Sequence, residues 1–357
     1  MPLGNRPLNP WLVRQNIPSL FGLRALSILL VLTHHLTRVN GSPLAESIWK
    51  YADWGKQGVN MFFVISGFLI TLILTWDEQA RGKVSLKRFY LNRAFRILPA
   101  YFCFILGTAV LSKVGFLELS RLDWLTALTY TTNFPEKPGW GLGHLWSLSI
   151  EEQFYLVWPL VFATLAPKGR LKVSLACVFL APISRMLFWG IFFSTHEFFN
   201  WPMFQLDGLA MGCTLGCLLT NEKWWARLQV SARSANLLMA GFLGGLLSII
   251  LWRGQFHWLV RHAFELTATQ LCFSGIILIS VTHPREWFGR VLNSKTLVYL
   301  GTLSYSLYLW QQPFFSWFKP HFLSTWPMNM VFAFVMALMS YYLVERPFLR
   351  LREKVVK

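Results

Sequence analysis

Pro18-Ser19-Leu20-Phe21-Gly22-Leu23-Arg24-Ala25-Leu26-Ser27-Ile28-Leu29-Leu30-Val31-Leu32-Thr33-His34-His35-Leu36-Thr37 is a twenty-residue stretch with one certain charge, Arg24, and a pair of histidines at its far end. A hydrocarbon core about 30 Å thick needs about 20 mainly apolar residues per helix, so the segment reads as a membrane span. The same ruler, moved outward, marks nine more: 58–76, 97–112, 143–166, 173–193, 204–220, 237–252, 265–282, 296–318 and 327–344. The expected fold is an all-α integral membrane protein, a bundle of about ten transmembrane helices. One membrane-embedded domain occupies 1–357, with its spans over about 18–344.

Composition agrees. Of 357 residues, 54% are hydrophobic and 14% charged, where a soluble domain carries about 25% charged residues. Such a chain cannot cover its own core with polar surface, which excludes a soluble enzyme, a disordered segment and a disulfide-stapled module. The net charge of +17 falls in short bursts between apolar runs, as in membrane loops, and not in one patch suited to nucleic acid. With the N-terminus inside, 23 Lys and Arg lie in inner segments and nine in outer ones. The imbalance orients both termini to the cytoplasm, in the cell's inner or cytoplasmic membrane. The polar, Pro-rich start offers no cleavable signal peptide. The five cysteines sit inside apolar runs, without a Cys-x-x-Cys or a histidine at ligand spacing, so no metal site is expected. Walker, Gly-x-Ser-x-Gly and His-Glu-x-x-His motifs do not occur.

Chemistry is therefore sought among polar groups at membrane depth. Arg24 and His35 are eleven residues apart, which returns to within about 20° on a helix and rises ~16.5 Å. They share a face with Ser27, while His34 points away. An arginine at this depth either snorkels to headgroups or has a partner or a task. In the second span Asn60, Gly67 and Thr71 fall near one face and suit close helix packing. Arg93 and Arg96, three apart, follow ordinary topology signalling or form a bidentate phosphate site. The adjacent Glu151 and Glu152 cannot share one face. Ser147, Glu151, Tyr155 and Trp158 line one side, and at least one carboxylate should meet a wet cavity unless both escape to water at a helix end. Ser304, Tyr308, Gln311 and Gln312 lie along one side of the ninth span, as interhelical glue or as a ligand lining. Glu345 closes the last span against the helix dipole, so a basic partner among Arg88, Arg93 and Arg96 is expected.

Taken in order, Gly22-Leu23-Arg24-Ala25 with His35, Phe62 to Ile70, Arg93 with Arg96, Leu145 to Tyr155, Ser304 to Trp310 and Val344 to Phe348 resemble the membrane-bound acyltransferase 3 family, over 20–348. That family acylates cell-surface sugars and some antibiotics. The resemblance implies an O-acyltransferase that moves an acyl group, acetyl above all, from acetyl-CoA or another acyl-CoA to a hydroxyl of a sugar, surface polysaccharide or glycolipid. It also implies no permanently bound cofactor. Arg93, Arg96 and Arg24 would hold the donor's phosphates, and the pantetheine arm would run along the first helix toward His35. His35 would act as general base, with Glu151 orienting or stabilising its imidazole; a covalent acyl-histidine is the variant route. Trp146, Ser147, Tyr308, Gln311 and Glu345 would complete the polar face. Two positions depart from the family pattern: Asn60 stands where an aspartate is frequent, and Gln311 where a histidine is. Both departures shift weight onto His35. Many members also carry an extracytoplasmic hydrolase-like domain, which is not expected here. A transporter or flippase of a glycolipid or exopolysaccharide is the rival reading, and a scaffold in polysaccharide assembly a third.

Overall fold

A computed structural model of the chain describes residues 9–13, 16–39, 41–45, 53–135, 137–192, 200–252, 255, 257–316 and 321–356. Among them there is no strand. In chain order the helices are α1 (Pro18–Leu36), α2 (Trp54–Arg81), α3 (Leu86–Lys113), α4 (Arg121–Leu128), α5 (Trp140–Gly143), α6 (Leu145–Thr164), α7 (Pro167–Phe192), α8 (Pro202–Leu219), α9 (Glu222–Leu228), α10 (Ala232–Trp252), α11 (Trp258–Thr282), α12 (Trp287–Leu292), α13 (Lys295–Phe314), α14 (Met328–Met339) and α15 (Arg346–Val355).

Eight helices among the described residues are long and apolar enough to cross a membrane: α1, α2, α3, α7, α8, α10, α11 and the run from α14 through α15. Two further 20-residue helices, α6 and α13, occupy the expected fourth and ninth spans. They carry Glu151, Glu152 and Gln153, and Ser304, Gln311 and Gln312, respectively. Polar side chains of both helices contribute to the site below.

α1 lies between α2 and α13, and α2 runs along α8. The second contact depends on missing side chains. A Cβ on Gly67 would run into the carbonyl of Leu209, and one on Gly212 into the carbonyl of Val64, so the two backbones touch directly. Beside them Trp158 Nε1 donates to Thr71 Oγ1 at 3.0 Å. The face of Gly67 and Thr71 is therefore the packing face its sequence suggested.

Charges inside the bundle are tied down. Arg185 of α7 is fully buried. Its Nη2 lies 2.8 Å from Asp207 Oδ2 and donates to Thr267 Oγ1 at 2.5 Å, and its other nitrogens donate to the carbonyls of Ala263 and Phe204. Arg170 grips Glu78 with two 2.6 Å bonds and stacks on the Phe162 ring, joining α7 to α2. Between α14 and α15 the chain makes a turn of π-helix, Ser340–Glu345, and Glu345 points inward.

Several expected boundaries move outward, among them those of α2, α3, α7 and α11. The third span was set at 97–112, but α3 begins at Leu86 and is capped by the Ser85 hydroxyl. Hydropathy detects only the apolar part of such a helix. Arg93 and Arg96 are accordingly helical side chains within the bundle and not members of a loop.

Candidate active site

Arg24 and His35 each face a cavity. The arginine cavity, about 310 Å³, lies between α1, α2, α3, α6 and α13 and is lined by Arg24, Arg93, Arg96, Glu151, Glu152 and Tyr155, among others. The histidine cavity, about 570 Å³, is lined by His34, His35, Asn60, His144, Trp146 and Gln311, with residues of α11 on its far side. Val59 and Tyr308 line both. The shared face of α1 therefore runs from one cavity to the other, past a partition of two side chains.

In the arginine cavity Arg24, Arg93, Arg96 and Arg352 face two carboxylates, Glu151 and Glu152. Arg24 Nε donates to Ser304 Oγ at 3.1 Å, and its charged neighbours are Glu151, Glu345 and Arg93. The Arg93 guanidinium lies over the Tyr155 ring, 4.1 Å from its centroid, a cation–π contact. Glu151 accepts from Ser66 Oγ at 3.1 Å and from the Tyr155 hydroxyl at 3.2 Å. Glu152, expected to point elsewhere, also lines this cavity; its walls are wide enough to take two side chains about 100° apart. Glu345 sits behind the lining, where Ser306 Oγ donates to it at 3.1 Å. Its charged neighbours are Arg96 and Arg24, so the basic partner expected from the helix dipole is present. Ser27 lines neither cavity: its hydroxyl bonds back to the Leu23 carbonyl at 3.0 Å.

In the histidine cavity His35 Nδ1 lies 2.5 Å from Gln311 Oε1. An amide oxygen only accepts, so Nδ1 carries the proton and Nε2 keeps its lone pair. The expectation that Glu151 orients His35 fails on geometry. Glu151 belongs to the other cavity, with both oxygens occupied, and Gln311 fixes the imidazole. The Trp140 ring lies edge-on to His35 at 5.4 Å, held by paired bonds: Trp140 Nε1 to the Gln312 carbonyl at 2.9 Å, and Gln312 Nε2 to the Trp140 carbonyl at 2.6 Å. Trp146 lines this cavity, packed on Phe63.

The partition is itself bonded. The Tyr308 hydroxyl donates to the His144 carbonyl at 3.0 Å and meets Ser147 Oγ at 2.6 Å. Sequence reasoning missed His144. Its ring is buried, lines the histidine cavity, and neither ring nitrogen has a hydrogen-bond partner among the described residues. The Leu309 carbonyl acts on the ring as a backbone acceptor outside good hydrogen-bond geometry, and its helical donor would be residue 313. That residue is Pro313, which has no N–H. A histidine directly before the Leu145-Trp146-Ser147 stretch, with a proline ending the facing helix, was the available signal.

Such an arrangement can carry out proton transfer at one end and hold a polar, partly anionic chain at the other. The family model described as "Acyltransferase domain" matches residues 17–346. This chain belongs to that acyltransferase family. It is similar to the "Peptidoglycan O-acetyltransferase OatA" of Listeria monocytogenes serovar 1/2a, with 27% identity over 94% of this chain and 56% of the relative. It is also similar to the "O-acetyltransferase OatA" of Staphylococcus aureus strain NCTC 8325, with 28% identity over 93% of this chain and 57% of the relative. The chain thus spans a little over half the length of these curated relatives. No solved structure matches it.

Proposed function

We propose that this acyltransferase domain is a multi-pass membrane O-acyltransferase that takes an acyl group, acetyl above all, from acyl-CoA at the cytoplasmic face and transfers it to a sugar hydroxyl of a cell-envelope polysaccharide. The family assignment and the names of both relatives support the activity. The observation that carries the reading is the pair of cavities meeting at Val59 and Tyr308, with Arg24 in one and an oriented His35 in the other. In this reading α6 and α13 also span the bilayer, which makes ten spans, and both termini are cytoplasmic in the cell's inner membrane.

The donor enters the arginine cavity. Arg93 and Arg96 flank its diphosphate, and Arg24 lies against the pantetheine arm. The thioester passes Tyr308 and reaches His35, ~16.5 Å further along α1. The acceptor occupies the histidine cavity with one hydroxyl at Nε2. His35 takes the hydroxyl proton as oxygen attacks the thioester carbon, and the tetrahedral intermediate collapses by breaking the C–S bond. The imidazolium then protonates the departing thiolate, so the products are a sugar ester and free CoA. Gln311 keeps His35 in the reactive tautomer throughout.

Mass spectrometry of envelope glycans from cells with the native gene, without it, and with His35→Ala tests the reading. Acyl-bearing sugars are expected only with the native gene, while the variant accumulates in the membrane at normal levels. Unchanged acylation in the variant overturns the role of His35. Unchanged acylation without the gene overturns the reading as a whole.

A further inference from the structure

The arginine cavity adjoins a third cavity of about 550 Å³ formed by α2, α3 and α15. Ile73, Trp76, Phe89, Asn92 and Arg352 line both. The charges facing this third space are Asp77, Arg81, Arg88, Arg352 and Glu353. Asp77 is already engaged, by Arg81 Nε at 3.2 Å and by the Ser85 N–H at 2.7 Å. Glu353 is exposed on α15. The guanidiniums of Arg88 and Arg352 form no ion pair or side-chain hydrogen bond among the described residues.

Further in, the balance differs. Arg24, Arg93 and Arg96 have Glu151, Glu152 and Glu345 among their charged neighbours, so these arginines, unlike Arg88 and Arg352, sit beside carboxylates inside the bundle. A molecule entering from α15 therefore meets two arginines without an ion-pair partner among the described residues and two aromatic rings, then a lining that mixes arginines with carboxylates, and last the imidazole. Acyl-CoA carries the same sequence of chemistry from end to end. Its 3′-phosphate bears close to two negative charges at neutral pH, beside a flat purine; the diphosphate follows, and its far end is an uncharged polar arm. Guanidinium forks match phosphate oxygens, and aromatic rings give a purine a stacking surface.

We infer that the third cavity seats the 3′-phosphorylated adenosine end of the donor, with Arg88 and Arg352 on the 3′-phosphate and Trp76 and Phe89 beside the adenine. This rests on the acyl-CoA reading above. It adds that the domain recognises the nucleotide end of its donor and not only the thioester arm, so that a donor lacking the 3′-phosphate is a poor one.

Purified full-length protein in lipid nanodiscs is titrated with acetyl-CoA and with acetyl-(3′-dephospho)-CoA. The native protein is expected to bind acetyl-CoA at least about tenfold more tightly. Arg88→Gln and Arg352→Gln should each lose about tenfold for acetyl-CoA while leaving the dephospho compound unchanged, a result that also reports an intact fold. Arg352→Lys, which keeps the charge, should retain part of the discrimination. Equal binding of the two donors by the native protein overturns this site and leaves the acyl-CoA reading standing. Discrimination that survives in both glutamine variants overturns the two arginines as its cause. Binding of neither donor overturns the acyl-CoA reading and this inference with it.

Discussion

Arg185 and Arg24 are both deep in the bundle, yet their surroundings are opposite. Arg185 has an aspartate, a threonine and two backbone carbonyls around it, and lines none of the three cavities. Arg24 has one direct hydrogen bond, to Ser304, and faces open space. A buried charge whose donors are all used up holds helices together; one that keeps donors turned toward a cavity is available to a ligand. Burial differs in the same direction: Arg185 is fully buried, while Arg24 is only half-buried.

Breaking each side should give different losses. Arg185→Met leaves Asp207 buried without its cation, and should cost about 3–5 kcal/mol of stability. The change is read as a lower thermal midpoint in detergent, and the double variant Arg185→Met/Asp207→Leu should recover most of it. Arg24→Met should leave the thermal midpoint nearly unchanged, since its carboxylate neighbours line or adjoin a polar cavity. It should instead reduce acetyl transfer by about 10²-fold, a loss of about 2.7 kcal/mol in transition-state binding. If Arg24→Met melts as early as Arg185→Met, the distinction fails.

Smaller effects sharpen the picture around His35. Gln311→Leu removes the acceptor that selects the His35 tautomer, and steady-state kinetics should show a turnover loss of about 10–100-fold with little change in donor KM, the size of effect seen when the partner of a metal-bound histidine is removed. Tyr308→Phe removes the hydroxyl that bonds Ser147 and the His144 carbonyl while leaving the ring in the partition. A lost hydrogen bond of this kind costs about 1 kcal/mol, so turnover should fall by less than about tenfold.

What could be read from the sequence was what lies within one helix. The placement of Arg24 and His35 on one face of α1 follows from 3.6 residues per turn and needs no knowledge of neighbours. The packing face of Gly67 and Thr71 is legible for the same reason, since small residues mark close approach. Partners across helices were harder. The bond from His35 to Gln311 depends on how α1 meets α13, where a Cβ on Gly301 would strike the Phe21 carbonyl; that register is a tertiary fact. The pairing of Glu151 with His35 came from the family resemblance alone, and α6 places Glu151 in the arginine cavity, beside Ser66 and Tyr155. His144 was overlooked because a single histidine at a helix start has no periodic signature, and its neighbour, the Leu309 carbonyl, is freed only by Pro313 on another helix. The helical start of α3 was hidden for a different reason: charged residues there extend a helix that hydropathy counts as loop.

The central claim is that an acyl group crosses from the arginine cavity to His35 within one domain. Sealed inside-out vesicles test it most directly, with radiolabelled acetyl-CoA outside and an N-acetylglucosamine oligomer trapped within. The account predicts labelled oligomer inside vesicles that carry the native protein, and none in vesicles that carry His35→Ala. Label found only on oligomer added to the donor side, or equal labelling of the trapped oligomer by the His35→Ala protein, would contradict it.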